Sequence, residues 1–189
     1  TGPEEPEGRW IVDPLDGTTN FLHGLPHWAI SIALEQAGGI VAGVVFDPLK
    51  DELFWAERGQ GAYVNSRQLR ISRKEDLTES LFATGLPFKG RADQSTTMAE
   101  VEKVAFASAG VRRFGSAALD LAYVAAGRYD GYWERGLAAW DIAAGALIVN
   151  EAGGRVTDLN GGEKIVSDRS IIVAGPMIYD RFFNLVTKA

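Results

Sequence analysis

Alternating apolar and polar positions predict a series of short strands in the first third of the chain. Segments 28–35 and 40–47 alternate and flank the turn signal Gly38-Gly39, which indicates a β-hairpin. Further short strands are predicted at 52–57 and 62–65. Because only a few residues join these segments, they are expected to form an antiparallel meander.

The rest of the chain predicts helices mixed with strands. Helices are expected at 94–110, 117–126, 141–152 and 178–186, and strands at 81–85, 111–115, 131–134, 155–158 and 170–174. Ser116 is the expected N-cap of the second helix. The first helix would bury one side, formed by Met98, Val101, Ala105 and Ala109. This mixture indicates an α/β fold in which helices cover the surfaces of a sheet.

The domain organisation is expected to be simple. Residues 1–9 are rich in proline and acid and predict a flexible lead-in, whereas 10–189 would form a single unit. Within that unit, 10–90 would hold the antiparallel meander and 91–189 the C-terminal α/β part. Because the first strand begins so close to residue 1, we also expect this chain to lack an N-terminal segment.

Composition narrows the class of protein. The 189 residues are 46% hydrophobic and carry a net charge of −6, which argues against non-specific binding to nucleic acid or to an anionic membrane. There are no cysteines, so disulfides and thiolate zinc sites are excluded. The lack of cysteines fits a cytoplasmic protein. No apolar run reaches membrane-spanning length and no signal peptide opens the chain.

One stretch concentrates candidate chemistry near the start of the chain. The apolar run 10–12 predicts the end of a buried strand, and it leads into Asp13 and Asp16. Two buried acids are costly unless a cation pairs with them, and Mg²⁺ prefers such oxygen ligands. Pro14 suits a turn after the first acid, which would aim the Leu15 carbonyl at the same point. The stretch therefore predicts a metal site.

The residues after the second acid suit a phosphate group. Gly17 and Thr18 offer successive backbone N–H groups at a turn. The spacing of three between Asp13 and Asp16 differs from the Asp-x-Asp pattern of haloacid-dehalogenase-type phosphatases, in which both acids share one face of a strand. We therefore reject an aspartyl-phosphate mechanism. Alone, Asp13-Pro14 would more often be a plain turn and Asp16-Gly17 a strand-end turn, whereas the joint string is much more specific.

Other polar residues allow two interpretations each. Asp141 stands at a predicted helix start, and the residues alone favour a helix cap over a third metal ligand. The small residues 143–146 would nevertheless permit close packing, which could place Asp141 beside Asp13 and Asp16. Glu134 is more often a solvated strand-end acid than a contact to a substrate hydroxyl. Arg112 and Arg113 are interpreted as a solvated face or as phosphate-steering residues.

The two histidines do not form a recognisable metal motif. His23 and His27 have the spacing of helical metal ligands, but Gly24 and Pro26 lie between them. We interpret both as loop residues.

Two segments together resemble a known family. Residues 10–21, Trp-Ile-Val-Asp-Pro-Leu-Asp-Gly-Thr-Thr-Asn-Phe, resemble the first signature of the inositol monophosphatase family, and residues 140–154 resemble its second. The resemblance runs from Trp10 to the C-terminus. It implies a layered αβαβα sandwich of the inositol monophosphatase/fructose-1,6-bisphosphatase type with its N-terminal part missing. It also implies a Mg²⁺-dependent, lithium-sensitive phosphomonoesterase that is usually a homodimer and uses two or three Mg²⁺ ions.

The resemblance also implies roles for individual residues. The implied metal ligands are Asp13, the Leu15 carbonyl, Asp16 and Asp141. The implied catalytic residues are Asp13, Asp16, Thr18 and Asp141, with the Thr18 hydroxyl orienting the attacking water. The implied substrate-binding residues are Leu15, Asp16, Gly17, Thr18, Gly115, Ser116, Ala117, Glu134 and Asp141.

The implied substrate is inositol monophosphate or a related small polyol or sugar phosphate, attacked by a metal-activated water. Alternatives on the same fold are fructose 1,6-bisphosphate, histidinol phosphate and adenosine 3′,5′-bisphosphate. From another class, a non-catalytic binding module would keep the fold and act through a partner surface. The chain departs from the family in one respect: Glu4 and Glu5 lie too close to Asp13 to be the upstream Glu-Glu motif that contributes to the first metal.

Overall fold

Two β-sheets and the helices that pack on them make up the described residues, 8–87 and 94–188, of a computed structural model. The predicted lead-in, with Glu4 and Glu5, lies outside these residues except for its last two. The two sheets differ in topology, and the predicted meander forms only one of them.

The first sheet is an antiparallel meander of six strands in sequence order. Its strands are β1 Arg9–Asp16, β2 Ala29–Gln36, β3 Gly39–Asp47, β4 Glu52–Glu57, β5 Ala62–Val64 and β6 Arg67–Gln68. The predicted hairpin is present, and Ala37 and Gly38 at its tip both have positive φ. Side chains along most of β2 and the second half of β3 alternate between buried and partly exposed, as expected for strands with one face on a core.

The prediction that 10–12 ends a buried strand is wrong. Trp10 and Val12 are 66% and 46% exposed, and only Ile11 between them is buried. Strand β1 is an edge strand, paired with β2 alone, and its side chains alternate between the core face, where Ile11 lies, and the opposite face, where Trp10 and Val12 are exposed. The apolar sequence of the strand does not distinguish an edge from a central position.

The second sheet mixes parallel and antiparallel pairs. Its strands are β7 Leu81–Thr84, β8 Gly110–Arg112, β9 Gly131–Arg135, β10 Arg155–Thr157 and β11 Ser170–Ala174, in the spatial order β10-β11-β9-β7-β8. Strand β7 pairs parallel with both β8 and β9. All five residues of β11 are buried, because helices cover both faces of this sheet.

The helices form layers on the two sheets. They are α1 Thr18–Leu22, α2 Gln94–Ala107, α3 Ala117–Ala125, α4 Ala139–Glu151, α5 Ile165–Asp168 and α6 Tyr179–Thr187, with a 3₁₀ turn at Leu77–Glu79. Helices α3 and α4 pack together between the two sheets, whereas α2 and α6 pack together beside the second sheet. The α/β architecture expected from the sequence is therefore confirmed, while α1 and α5 were not predicted.

The predicted buried side of α2 is wrong. Met98 is 50% exposed, whereas Glu100 and Val104 are buried. Glu100 forms a salt bridge with Arg135 on β9 (Nη2 to Oε1, 2.6 Å) and accepts a hydrogen bond from the Trp133 indole. A polar anchor to β9 therefore orients α2, which an apolar pattern does not reveal.

Small residues allow α4 to lie very close to its neighbours. A Cβ added to Gly43 on β3 would lie 3.0 Å from the Ala144 Cα, and one added to Gly145 would lie 2.6 Å from Leu121 on α3. The expectation that the small residues 143–146 permit close packing is confirmed. Within the described ranges, no helix has both the length and the apolar content needed to cross a membrane.

Candidate active site

An irregularity at the end of β1 brings its two acids together. The pairing of β1 with β2 shifts register between Asp13 and Asp16, which marks a bulge. The Asp13 carboxylate accepts a hydrogen bond from the Leu15 N–H at 2.9 Å, and the Leu15 carbonyl accepts one from the Thr18 hydroxyl at 2.8 Å. The carboxylate-to-backbone bond closes a tight turn around Pro14, as the sequence predicted.

Asp141 supplies a third carboxylate from the start of α4. One carboxylate oxygen from each of Asp13, Asp16 and Asp141 lies within 4.8 Å of the others. Asp141 also accepts a hydrogen bond from the Ala138 N–H at 2.7 Å, which satisfies a free donor at the helix start. The two interpretations of this residue are therefore compatible, because it both stabilises the helix end and joins the acid cluster.

Asp16 is the most deeply buried of the three acids. It is 8% exposed, and its Oδ2 accepts hydrogen bonds from the Ser116 hydroxyl at 2.5 Å and the Ala118 N–H at 2.9 Å. Burial raises the pKa of Asp16 to about 6, with smaller contributions from Asp13 and Asp141, although both hydrogen bonds oppose the rise. Because burial makes the ionised carboxylates of this cluster costly, the cluster suits a hard divalent cation such as Mg²⁺, which prefers oxygen ligands.

A left-handed glycine turns the chain from the acids into α1. Gly17 has φ of 90°, and a Cβ there would lie 3.0 Å from the His27 carbonyl oxygen, so a larger residue would be strained. Helix α1 begins at Thr18, and the first N–H groups of a helix lack intrahelical acceptors. Gly17 and Thr18 border the same cavity as the acids. The geometry is compatible with the predicted phosphate contacts.

The acids and this turn line one cavity of about 390 Å³. Its walls are formed by Asp13, Leu15, Asp16, Gly17, Thr18, Thr19, Gly85, Leu86, Arg113, Gly115, Ala117, Glu134, Gly136, Leu137, Trp140 and Asp141. Ser116 is not among them, since it is buried behind Asp16. Nine of the ten sequence-predicted site residues thus border one cavity, and the tenth supports it.

Glu134 is not the solvated strand-end acid that the residues alone favoured. It lines the cavity and accepts a short hydrogen bond from the Tyr132 hydroxyl. Burial raises the pKa of Glu134 to about 7, and the nearby acids Asp16 and Asp141 add to the rise. A Cβ added to Gly85 would lie 1.9 Å from the Glu134 carboxyl carbon. Only glycine at position 85, directly after β7, leaves room for the Glu134 side chain.

Asn20 on α1 connects this helix to two neighbouring loops. Its Nδ2 donates to the His27 carbonyl at 2.8 Å and to the Phe114 carbonyl at 2.7 Å. The bond to Phe114 ties α1 to the segment that holds Gly115 and Ser116. His27 itself follows α1 in a loop, as predicted, and burial lowers the pKa of its imidazole to about 4.

Sequence reasoning missed several residues of the site. Gly85, Leu86, Gly136, Leu137 and Trp140 border the cavity, and of these only Trp140 belongs to a segment that resembles a family signature. Asp120 is also close: it is 1% exposed, and burial, with Glu134 and Asp16 nearby, raises its pKa well above the usual range. A buried acid inside an apolar helix is a signal that could have identified Asp120.

Fold and site together define a phosphatase class, in which layered sheets and helices hold clustered carboxylates beside a turn suited to phosphate. A family model described as the inositol monophosphatase family matches residues 3–188. The chain belongs to this family, whose members hydrolyse phosphate monoesters.

Individual relatives are similar along most of the chain. An inositol-1-monophosphatase from Mesorhizobium japonicum is 51% identical over 185 residues, which cover 98% of this chain and 70% of the relative. The Nus factor SuhB of Escherichia coli K12 is 50% identical over 170 residues, which cover 90% of this chain and 64% of that relative. The crystal structure of the extragenic suppressor protein suhB from Bartonella henselae matches with a TM-score of 0.95 and 51% identity, covering 98% of this chain and 72% of that one. This chain thus spans about two thirds of the length of these relatives.

Proposed function

We propose that this protein is a Mg²⁺-dependent phosphomonoesterase acting on inositol monophosphate or a related small polyol or sugar phosphate. The observation that carries the proposal is the meeting of Asp13, Asp16 and Asp141 within 4.8 Å. They border a cavity with Gly17 and Thr18, the expected phosphate contacts. The name inositol-1-monophosphatase of the Mesorhizobium relative supports the substrate class.

Four oxygen donors of this chain would hold the metal ions. They are the carboxylates of Asp13, Asp16 and Asp141 and the carbonyl of Leu15, with two or three Mg²⁺ expected. The Leu15 carbonyl already accepts the Thr18 hydroxyl at 2.8 Å, so its second lone pair would serve the metal. When bound, Mg²⁺ supplies a water of lowered pKa and neutralises charge on the phosphate and the leaving oxygen.

The chain's own groups would orient the reaction. The Thr18 hydroxyl is proposed to position the attacking water, and the N–H groups at Gly17 and Thr18 to hold the phosphate oxygens. Ser116 and the Ala118 N–H keep the Asp16 carboxylate in one orientation. Glu134, Gly115 and Ala117 are proposed to contact the alcohol part of the substrate.

A pair of matched variants tests this proposal. Asp141→Asn keeps the side-chain shape but removes the charge, so phosphate release from inositol 1-phosphate in Mg²⁺ is expected to fall by about 100-fold or more. The control is Asp180→Asn, because the Asp180 side chain is 81% exposed and pairs with Arg155 instead of lining the cavity. Wild-type kcat in the Asp141 variant at saturating Mg²⁺, or full activity of the wild type in EDTA, would contradict the assignment.

Assembly and inhibition belong to the same proposal. We propose a homodimer, inhibition by Li⁺ and a cytoplasmic location. Exposed apolar side chains near the site, Phe21, Leu22, Leu25 and Phe114, support association with a second copy. Sedimentation equilibrium checks the first point, and a monomer at micromolar concentration would contradict it.

A second candidate function is a non-catalytic binding module that acts through a partner surface. One observation favours it: a relative 50% identical to this chain carries the name Nus factor SuhB. The clustered carboxylates argue for catalysis, since a scaffold does not need them. Absence of Mg²⁺-dependent phosphate release from inositol 1-phosphate, fructose 1,6-bisphosphate, histidinol phosphate and adenosine 3′,5′-bisphosphate would favour the binding role.

A further inference from the structure

Glu134 shares its strand with the residue that holds it in place. Strand β9 lies inside the second sheet, where it pairs with β11 on one side and with β7 on the other. Tyr132 and Glu134 are two positions apart on this strand, so their side chains leave the same face of the sheet. Trp133, between them, points to the opposite face, where its indole donates to Glu100. The pair therefore stands on a strand that is hydrogen-bonded along both edges.

The Tyr132 hydroxyl anchors the Glu134 carboxylate. Tyr132 is fully buried, and its hydroxyl donates a short hydrogen bond to the Glu134 Oε2. Within residues 8–87 and 94–188, Tyr132 is the only residue that donates a hydrogen bond to this carboxylate. Because a close-packed interior leaves a buried ring little freedom to move, the hydroxyl is a fixed point of attachment.

Gly85 limits the same carboxylate sterically. A Cβ added to Gly85 would lie within 2.1 Å of the carboxyl carbon and both carboxyl oxygens of Glu134. Three nearly equal distances mean that the carboxylate lies flat against the Gly85 backbone. The Thr84 hydroxyl, one residue earlier, donates to the Trp133 carbonyl at 2.7 Å, which ties this segment to β9. A hydrogen bond and a close backbone contact thus define one orientation of the carboxylate.

The hydrogen bond also favours the form of Glu134 that accepts hydrogen bonds. Burial raises the pKa of Glu134 and the charges of Asp16 and Asp141 raise it further, whereas the hydrogen bond from Tyr132 lowers it. Burial raises the pKa of Tyr132 well above its usual range, so the phenol keeps its proton and remains a donor. An ionised carboxylate accepts through both oxygens, so Glu134 can bind Tyr132 and a further donor in the cavity that it lines.

We propose that Tyr132 is a positioning residue that fixes the Glu134 carboxylate so that it accepts a hydrogen bond from a hydroxyl group of the substrate. The inference rests on the proposed phosphomonoesterase activity and deepens it, because it assigns the preference for polyols and sugars to this pair. A substrate without a hydroxyl there would leave the buried carboxylate unpaired, which is costly. Tyr132 does not line the cavity, so it acts through Glu134 and does not touch the substrate.

Two substrates with the same carbon ring isolate this preference. Inositol 1-phosphate carries hydroxyl groups around its ring, whereas cyclohexyl phosphate has none. Hydrolysis of both in Mg²⁺ is measured for the wild type, Tyr132→Phe, Gly85→Ala, Glu134→Ala and the double variant of Tyr132→Phe with Glu134→Ala. Tyr179→Phe is the matched control, because it removes another buried tyrosine hydroxyl that is hydrogen-bonded, to Thr157, away from the cavity.

The readout is the ratio of kcat/KM for inositol 1-phosphate to kcat/KM for cyclohexyl phosphate. In Tyr132→Phe this ratio is expected to fall about 10-fold, mainly through the KM of inositol 1-phosphate, because a carboxylate without its anchor no longer meets the hydroxyl in good geometry. Gly85→Ala displaces the same carboxylate and should also lower the ratio, whereas Tyr179→Phe should keep it. Once Glu134 is alanine, Tyr132→Phe should cause no further fall, since both residues act through one contact.

Several outcomes would overturn the inference. Both substrates are measured on one preparation, so a smaller folded fraction cancels in the ratio. An unchanged ratio in Tyr132→Phe, or an equal loss on both substrates, would show that Tyr132 does not position a hydroxyl contact. Losses that multiply in the double variant would show that Tyr132 acts independently of Glu134.

The wild type separates failure of this inference from failure of the proposed function. Equal kcat/KM on the two substrates would rule out the hydroxyl contact while leaving the phosphatase activity in place. Release of phosphate from neither substrate in Mg²⁺ would instead contradict the proposed function itself.

Discussion

The buried carboxylate of Asp16 is expected to destabilise the metal-free protein at neutral pH. Burial raises its pKa from 3.8 to about 6, so between these values the native state holds a proton that the unfolded state has lost. The free energy of unfolding therefore falls as pH rises from 4 to 6 and stays lower above that. At about 1.4 kcal/mol per pKa unit, the penalty at pH 7.5 is about 3 kcal/mol.

Asp16→Asn tests this reasoning because it removes the charge and keeps the shape. The amide oxygen can still accept from Ser116 and the Ala118 N–H, so the local hydrogen bonds survive. In EDTA at pH 7.5 the variant should be about 2 kcal/mol more stable than the wild type, a shift of about 1 M in the urea midpoint. At pH 4 the difference should vanish, since the wild-type carboxyl is then neutral.

Metal and a surface control complete the experiment. Mg²⁺ at millimolar concentration should stabilise the wild type at pH 7.5, because it binds the native state, but not Asp16→Asn. Asp180→Asn, on an exposed acid, should change neither result. The argument would be refuted if Asp16→Asn were less stable than the wild type in EDTA at pH 7.5. It would also be refuted if the variant's gain in stability over the wild type were as large at pH 4 as at pH 7.5.

Three further substitutions follow from close contacts at and behind the site. Gly85→Ala places a methyl 1.9 Å from the Glu134 carboxyl carbon, so the carboxylate must move. The KM for inositol 1-phosphate should rise about 10-fold while the circular dichroism spectrum stays unchanged. An unaltered KM would be evidence against a substrate contact at Glu134. Gly145→Ala inserts a Cβ 2.6 Å from Leu121 and should cost about 1–3 kcal/mol in urea denaturation, and a neutral effect would mean that α3 and α4 separate easily. Asn20→Ala leaves two backbone carbonyls without their donor and should lower stability by about 1–3 kcal/mol, which chemical denaturation measures against the wild type.

Local chemistry in the sequence predicted much of the fold. Strands β2 to β5 and the capped helix α3 were predicted because alternation, turn residues and an N-cap serine act within a few residues. The edge position of β1 and the buried side of α2 were not predicted correctly. Both depend on which elements pack alongside, and Glu100 on helix α2 is buried with its charge paired by Arg135 on strand β9.

The sequence by itself determined which residues carry the candidate chemistry, because an acid, a proline, a second acid and a glycine within five positions favour a tight, oxygen-rich turn. Only the tertiary structure decided what surrounds that turn. Asp141 reaches it because Gly43 and Gly145 let α4 approach two neighbouring elements, and Glu134 reaches the cavity because Gly85 leaves it space. Such contacts join residues far apart in the chain, so they depend on packing distances that no local pattern encodes.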